Sequence, residues 1–413
     1  MFEGDQAAVA APWTSDAPSR AWLSRLPRAL TLGSDVRRAL VLTLVWEFVG
    51  EAVGWAASFL IPPDRADVSA TIAGRLFPGE HLSHFEAIWV RWDGSWYALL
   101  GSQGYSPHVS ILDAFFPAYP LLIHIVGTLL GGRYLVAGVV INRLLLFPTV
   151  VIFMKLVQRD GVDNSRESEL APLMILLIPG AVFFLGALTE TLFVFACLAT
   201  MLAMRRERWL LAATSCALAT GTRLPGVALV GTLGLELVLR RKWFKAAYCS
   251  AIGMGGIGLF SLYTLITQHD PLGFRDAYAH GSWNDQSFTL NVLRGPARYF
   301  HKMVADPPTR GYPGIVTLGY MVALALIVLL AALCFRRLSW PLRLFVVGTT
   351  LIPLLSGSMF SYYRYAMIPL LPMMVPITRW LAGRPAWRDS TVLTLAGLTI
   401  FDVMAFASGH WVS

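Results

Sequence analysis

The chain has 413 residues, of which 56% are hydrophobic and 14% are charged, and its formal net charge is +8. Its apolar runs reach about 18 residues or more, long enough to cross a bilayer as helices, which excludes a soluble globular protein. The basic residues lie in short loops between these runs, where they set membrane topology, so no nucleic-acid partner is predicted. Lipid cannot hydrogen-bond a bare backbone, and the runs lack the alternation of barrel strands. We therefore predict an all-α polytopic membrane protein.

In chain order, residues 1–38 are polar and are predicted to form a cytoplasmic N-terminal segment, followed by a single transmembrane domain over residues 39–413. The first apolar run is longer than a signal-peptide core, so it is predicted to be an uncleaved span. Two long polar insertions, at about 62–113 and 268–311, interrupt the remaining runs. The apolar segments lie at about 39–61, 115–132, 134–157, 172–188, 190–204, 209–222, 225–239, 246–268, 312–334, 342–357, 363–381 and 389–408.

Basic clusters between the runs are assigned to the cytoplasm, which places both long insertions on the outer face of the plasma membrane. This topology requires an odd number of crossings between residues 113 and 155, where two apolar segments lie. Segment 115–132 opens with two prolines in "FFPAYP" and is predicted not to cross, which leaves about eleven spans. The clusters are Arg37–Arg38, Arg205–Arg208, Arg240–Lys245, Arg336–Arg343 and Arg379–Arg388.

The first insertion contains "FEAIWVRWDGSWYALLGSQGYS", residues 85–106, which is rich in tryptophan and tyrosine. Read as a helix, it places its rings on one face, and such a face favours an interfacial helix lying on the membrane. That interpretation does not account for Asp93 among apolar rings, where ionisation is costly without a cation or a ligand proton. Asp93 is therefore predicted to be functional. The face holds Trp89, Trp92, Asp93, Trp96, Tyr97 and Leu100.

Three further ionisable residues lie where spans are predicted to emerge outside: Glu190 in "GALTETLF", Arg223 in "GTRLPG" and Arg364 in "SYYRY". An ionisable residue at membrane depth costs about 2.5–3.5 kcal/mol on insertion scales and is a functional candidate. Either arginine alone is also explained by snorkelling to lipid phosphate. Together they predict a pocket for an anionic headgroup, because the guanidinium fork matches phosphate geometry. His280 and Trp283, in "AYAHGSWND", are predicted to close the site from the second insertion.

Other polar residues in the apolar runs receive structural interpretations. Glu47 and Glu51 lie one turn apart in the first span and are predicted to hydrogen-bond to neighbouring helices. The four cysteines have no CxxC spacing, so neither a disulfide framework nor a thiolate metal site is indicated. No cluster of metal ligands is evident, and neither a metal nor a cofactor is predicted.

Several of these motifs together resemble a known family. "RWDGSWYALLGSQGY", "FFPAYPLL", "LLIPGAVFFLGALTETLFVF", "TRLPG" and the late "SYYRY" are similar to the PIG-V family, whose eukaryotic members are the second GPI mannosyltransferases, within the GT-C glycosyltransferase superfamily. The resemblance implies a GT-C-like fold and an enzyme that moves a sugar, typically mannose, from a polyprenyl-phosphate donor to a lipid or glycan acceptor on the outer face. It also implies a catalytic base in the first outer loop, at the position of Asp93.

The reaction implied by this resemblance gives chemical roles to Asp93, Arg223 and Arg364. Asp93 would take the proton of the acceptor hydroxyl, while Arg223 and Arg364 would steady the departing lipid phosphate. A single displacement of this kind inverts the anomeric centre and requires no metal. The predicted substrate contacts are Arg91, Trp92, Trp96, Tyr97, Glu190, Arg223, His280, Arg364 and Tyr365.

Two alternatives remain open at this point. A transporter or flippase of a lipid-linked sugar or phospholipid would use the same arginines and rings without chemistry, although the matching halves common among transporters are not evident. A GT-C enzyme that moves another lipid-linked sugar, such as an arabinofuranosyl or galactofuranosyl unit, is the second alternative.

Overall fold

The computed structural model describes residues 33–65, 67–108, 111–159, 165–280, 288–305 and 312–412. This part of the chain is helical and contains no β-strand, which confirms the predicted all-α class. The helices are α1 (Ser34–Leu60), α2 (Ser69–Leu76), α3 (His84–Ala87), α4 (Asp93–Gln103), α5 (Ala118–Leu129), α6 (Tyr134–Val157), α7 (Ser165–Leu176), α8 (Glu190–Arg205), α9 (Trp209–Thr220), α10 (Gly226–Leu239), α11 (Trp243–Gly253), α12 (Gly255–Gln268), α13 (Gly273–His280), α14 (Arg294–Ala305), α15 (Tyr312–Cys334), α16 (Trp340–Leu354), α17 (Tyr362–Ala382) and α18 (Pro385–Ala407).

Within the described residues, five helices are long and apolar enough to cross a membrane, and this makes the chain a membrane protein. A sixth span arises if α11 and α12, which meet at a bend of 50°, cross as one unit. Other apolar helices have only 10–17 residues, so the predicted count of eleven spans stays a prediction. The five are Ser34–Leu60, Tyr134–Val157, Gly314–Arg337, Tyr362–Ala382 and Pro385–Ala407.

Helix α5 occupies the segment that was predicted not to cross. Its 12 residues rise roughly 18 Å, well short of a hydrocarbon core of about 30 Å. It runs back along the first turns of α6: the Tyr119 hydroxyl donates to the carbonyl of Gly138 at 2.9 Å, and Gly127 lies against the ring of Tyr134. This short hairpin places the residues before α5 beside the start of α4.

Five helix ends that carry basic residues lie together. Arg205, at the end of α8, donates to the carbonyl of Lys155 at 3.1 Å, and Arg379, near the end of α17, donates to that of Val157 at 2.7 Å. The same end holds the ion pairs Arg38–Glu169, at 3.5 Å, and Arg240–Glu207. We call it the basic end, defined by Arg38, Lys155, Arg205, Arg240 and Arg379.

Residues 177–189 interrupt the helices between α7 and α8, although the sequence there reads as a continuous apolar run. Irregular backbone is tolerated away from water only where other groups satisfy its hydrogen bonds. The buried Asn142 side chain does so, donating to the carbonyl of Gly186 at 2.5 Å and to that of Leu188 at 2.7 Å. Residues 177–189 therefore lead directly into α8 and place Glu190 in its first turn.

The aromatic stretch of the first insertion is not one helix lying flat, as the periodicity indicated. Helix α4 begins at Asp93, after Trp92 adopts a left-handed backbone with φ +46° and donates its N–H to Ser69 Oγ at 2.8 Å. Trp89 turns inward, is 1% exposed, and donates its indole N–H to Glu51 of α1 at 2.6 Å. The indole therefore anchors the insertion to the first span, and the aromatic face is divided.

The second insertion carries the helices α13 and α14. Helix α13 packs on the turn that precedes α5, where Gln268 donates to the buried Asp113 at 3.1 Å. His280 is the last residue of α13, and its side chain lies outside the described residues, as does Trp283.

Candidate active site

Four charged residues that are far apart in the sequence form one network. The Arg364 guanidinium donates through Nη1 to Asp93 Oδ2 at 2.7 Å and through Nε to Glu190 Oε1 at 2.8 Å. Arg223 Nη1 donates to the same Glu190 oxygen. Asp93, Glu190, Arg223 and Arg364, hereafter the cavity cluster, were each predicted to belong to the site, and the fold brings them together.

The four side chains are positioned by helix starts and one turn. Asp93 is the first residue of α4 and Glu190 the first of α8, where a carboxylate is favoured by the helix dipole. Arg364 lies in the first turn of α17, just after Ser361 adopts φ +61°. Arg223 lies in the turn between α9 and α10. Since α8 runs from Glu190 to Arg205, the cavity cluster lies roughly 22 Å from the basic end.

The members of the cavity cluster differ in their access to solvent. The side chains of Glu190 and Arg364 are 1% and 3% exposed, whereas that of Asp93 is 20% exposed. Glu190 therefore neutralises two buried arginines from within the protein. Asp93 is the carboxylate of the cluster that an incoming molecule can reach.

Asp93, Arg223 and Arg364 line a cavity of about 380 Å³. Small-molecule sites commonly measure about 300–1,000 Å³ and combine an apolar lining with a few convergent polar groups. The walls come from α4, the turns before α5 and after α9, α13, and the segment between α16 and α17. Their aromatic and aliphatic side chains include Tyr97, Phe115, Phe116, Leu272, Phe274, Phe288, Phe360, Tyr362, Tyr365 and Trp411.

Two predicted tyrosines belong to this wall. Tyr97 packs edge-on against Phe115, with ring centroids 4.9 Å apart, and burial together with the charge of Asp93 raises the pKa of Tyr97 above its ordinary value. The Arg223 guanidinium lies over the Tyr365 ring at 4.6 Å. Burial opposes the charge of Arg223, but Glu190 and then Tyr365 outweigh it, so the pKa of Arg223 lies above its usual range.

Arg275 lines the cavity and was missed by the sequence analysis. It is exposed on α13, and its guanidinium lies 5.7 Å from the centroid of the Phe288 ring. It adds a positive charge to a cavity cluster that is itself neutral. Its signal in the sequence was weak, because an arginine in a polar insertion is unremarkable.

Three predicted substrate contacts lie away from the described lining of the cavity. Arg91 donates to Asp67 at 2.5 Å and to the carbonyl of Ala407 at 2.6 Å, which ties the first insertion to the end of α18. Trp92 packs edge-on against Trp411, with centroids 4.8 Å apart. Trp96 packs in the apolar cluster of α4 and α5. These residues shape the wall from behind rather than face the cavity.

The two carboxylates of the first span differ: Oε1 of Glu47 is buried without a hydrogen-bond partner among the described residues, whereas Glu51 is fully engaged. Glu51 accepts the Trp89 indole N–H and forms an ion pair with Arg143 of α6. This is the hydrogen bonding to neighbouring elements that the sequence predicted for Glu51. Among the described residues, no group of three His, Cys, Asp or Glu side chains is placed to hold a metal ion.

Part of the chain is similar to a known protein. No protein-family model matches the sequence. Over 127 residues the chain is 32% identical to GPI mannosyltransferase 2 of Drosophila pseudoobscura pseudoobscura. The similar part covers 28% of this chain and 27% of that relative, so the match spans about a quarter of either protein.

Proposed function

We propose that this protein is a membrane glycosyltransferase that moves a sugar from a polyprenyl-phosphate donor to a hydroxyl of a lipid or glycan acceptor. The observation that carries the proposal is the position of Asp93. It faces a cavity while one of its oxygens is held by a buried arginine at 2.7 Å. Such a carboxylate is oriented and accessible, as a general base must be.

Mannose is the proposed sugar. The support is the similarity to a protein named GPI mannosyltransferase 2, together with the motifs shared with the PIG-V family. The acceptor is left at the level of a lipid or glycan hydroxyl, because the match covers only part of both chains.

In the proposed step, Asp93 accepts the proton of the acceptor hydroxyl as its oxygen bonds to the anomeric carbon. The bond from that carbon to the phosphate oxygen breaks, and polyprenyl phosphate leaves with the electron pair. One displacement inverts the anomeric centre, so a β-linked donor gives an α-linked product. The departing phosphate needs cations nearby rather than an acid, because it is a good leaving group near neutral pH.

The arginines of the site have different proposed roles. Two nitrogens of Arg364 already donate to carboxylates, so in this proposal Arg364 orients Asp93. Arg275 is exposed and lines the same cavity as Arg223, and the two are proposed to meet the donor phosphate. A guanidinium suits this task because its planar fork matches two phosphate oxygens.

The site is proposed to open on the outer face of the plasma membrane, with the N-terminal segment in the cytoplasm. The basic end lies roughly 22 Å from the cavity cluster along α8, and the positive-inside bias assigns that end to the cytoplasm. Donor and acceptor would then both be presented by the outer leaflet. No metal or cofactor is part of the proposed step.

A panel of labelled donors tests this function. Purified protein in vesicles is incubated with polyprenyl-phosphate mannose, glucose, galactofuranose and arabinofuranose in the presence of native lipid extract, and label transfer is measured. The proposal expects transfer from the mannosyl donor and an α-linked product. Transfer from another donor alone would keep the enzyme class but exclude mannose.

Movement of intact donor between leaflets, without transfer from any donor, would instead support the transporter and contradict the proposal. The Asp93→Asn variant separates the two functions further. It should lose transfer but would not affect passage of a headgroup that needs no base.

A further inference from the structure

Helix α14 in the second insertion presents three chemically distinct faces. With about 100° of rotation per residue, Leu293, just before the helix, Ala297, Phe300 and Val304 fall within an arc of about 60°. The side chains of Leu293, Phe300 and Val304 are 70%, 50% and 65% exposed. This apolar face is therefore not covered by the described part of the protein.

A second face of α14 is basic. Arg294, Arg298, His301 and Lys302 fall within an adjacent arc of about 100°. Arg294, His301 and Lys302 are exposed and Arg298 is half-buried. Residues 294–305 contain no aspartate or glutamate, so the sequence of the helix carries a net positive charge.

The third face fixes α14 to the wall of the cavity. The backbone of Gly295 lies so close to Ser358 that a Cβ atom would fall 3.0 Å from the Ser358 carbonyl carbon. The Tyr299 hydroxyl lies 3.3 Å from Ser358 Oγ, and the Tyr299 ring packs on Tyr320 of α15 at 5.8 Å. Ser358 lines the cavity, so α14 lies at its edge.

The neighbouring helix shows what surrounds the apolar face. Helix α15 is the most apolar of the five long helices, and only 17% of its most apolar stretch is buried. In a membrane protein, exposed apolar side chains of such a helix, such as Val322 at 54%, are expected to face lipid. A helix attached to it with one apolar face and one basic face has the composition of an interfacial helix.

We propose that α14 lies in the headgroup layer of the membrane leaflet at the cavity end and binds the phosphates of anionic lipids. Its apolar face enters the acyl region, and its basic face contacts the headgroups. Each basic residue near an anionic surface adds to the attraction between the helix and the membrane. The inference is independent of the proposed function. It concerns the lipids that surround the cavity, not the reaction inside it.

A fluorophore on α14 tests the depth of the helix. The four native cysteines are buried, so Val304→Cys and His301→Cys can be labelled selectively with the environment-sensitive dye NBD. In vesicles of phosphatidylcholine and phosphatidylglycerol, the dye at position 304 should show blue-shifted emission and quenching by acyl-brominated lipid, more strongly than at 301. Water-like emission at 304 would overturn the proposal.

The preference for anionic lipid is tested at the same position. Bromination of the phosphatidylglycerol alone should quench the dye at 304 several-fold more than bromination of an equal amount of phosphatidylcholine. The combined change Arg294→Gln, Arg298→Gln and Lys302→Gln should remove this difference while the blue shift remains. The matched change Arg241→Gln and Lys245→Gln, at the opposite end, should leave it intact.

Salt offers a control that needs no variant. Raising the ionic strength to about 1 M shortens the screening length to about 3 Å and should weaken the preference in the parent protein. Equal quenching by the two brominated lipids at low salt, in a protein that retains the blue shift, would contradict the anionic-lipid site while leaving an interfacial helix.

Discussion

Two groups of paired carboxylates and arginines in the described residues differ in what surrounds them. In the cavity cluster, carboxylates and arginines from α4, α8, α17 and one turn meet beside a space of about 380 Å³. Between α1 and α6, Glu51 pairs with Arg143 and accepts the Trp89 indole N–H at 2.6 Å, with packed side chains around it. In both groups, carboxylates neutralise the charge of arginine side chains.

The comparison shows that a buried ion pair does not by itself indicate a site. Removing one partner from either group leaves a buried charge unbalanced, so both are important for stability. Asp93 lines the cavity, whereas Glu51, whose side chain is 18% exposed, is not among the residues that line it. Substitutions in the two regions should therefore separate effects on catalysis from effects on stability.

The largest effect is expected for Asp93→Asn. The amide keeps the size of the side chain and can still pack beside Arg364, but it cannot accept a proton. Transfer should fall about 10²–10⁴-fold, the usual contribution of a general base, while donor affinity stays near that of the parent. Label transfer and donor binding are measured on the same preparation. Asp389→Asn, on the exposed surface of α18, serves as the control, and full activity of Asp93→Asn would exclude the role.

Glu190→Gln should affect stability most. It removes the carboxylate that neutralises Arg223 and Arg364, and breaking a fully buried pair costs about 3–5 kcal/mol. A lower thermal midpoint in detergent is expected, and activity should fall in the protein that remains folded. Glu207→Gln, whose side chain is 55% exposed at the basic end, should leave the midpoint close to that of the parent. Equal shifts for the two variants would contradict the assigned role of Glu190.

Glu51→Gln tests the group of charged residues between α1 and α6. The change leaves Arg143 without its ion pair, and loss of one partner of a buried polar group costs about 1–3 kcal/mol. The thermal midpoint should therefore fall, while KM for donor and kcat at low temperature should remain within about twofold of the parent. A selective loss of kcat in a stable protein would mean that the α1–α6 group takes part in the reaction.

The smallest effect is expected for Arg275→Gln. Loss of one charged hydrogen bond to phosphate should raise KM for the donor about tenfold, which corresponds to about 1.4 kcal/mol. KM for the acceptor should change little, and the thermal midpoint should not move because the side chain is exposed. Arg241→Gln, at the opposite end, is the matched control. An unchanged donor KM would assign the phosphate to another cation.

Much of the fold was accessible from the sequence because the bilayer imposes long apolar runs. The predicted segments 39–61, 134–157 and 363–381 correspond closely to Ser34–Leu60, Tyr134–Val157 and Tyr362–Ala382. The break in the helices at residues 177–189 could not be predicted from the sequence. Its residues are as apolar as a helix, and its backbone is satisfied by Asn142, which lies 44 positions before Gly186 in the sequence.

Part of the site could be predicted from the sequence for a related reason. Glu190, Arg223 and Arg364 stand out because ionisable residues are rare in apolar runs. How these residues pair could not be predicted, because Asp93 and Arg364 are 271 positions apart and no local sequence pattern joins them. Trp92 was assigned to a helix by its spacing, but contacts with Ser69 and Trp411 set its backbone. Arg275 lies in a polar insertion, where its charge carries no signal.

The central claim is that Asp93 meets the acceptor hydroxyl inside the cavity. A structure of the Asp93→Asn variant with an unreactive phosphonate analogue of the mannosyl donor and a short acceptor tests it most directly. The account predicts the acceptor hydroxyl within about 3 Å of the substituted side chain at position 93, opposite the phosphonate, with the phosphonate beside Arg275. An acceptor bound elsewhere, or a donor headgroup outside the cavity, would contradict the account.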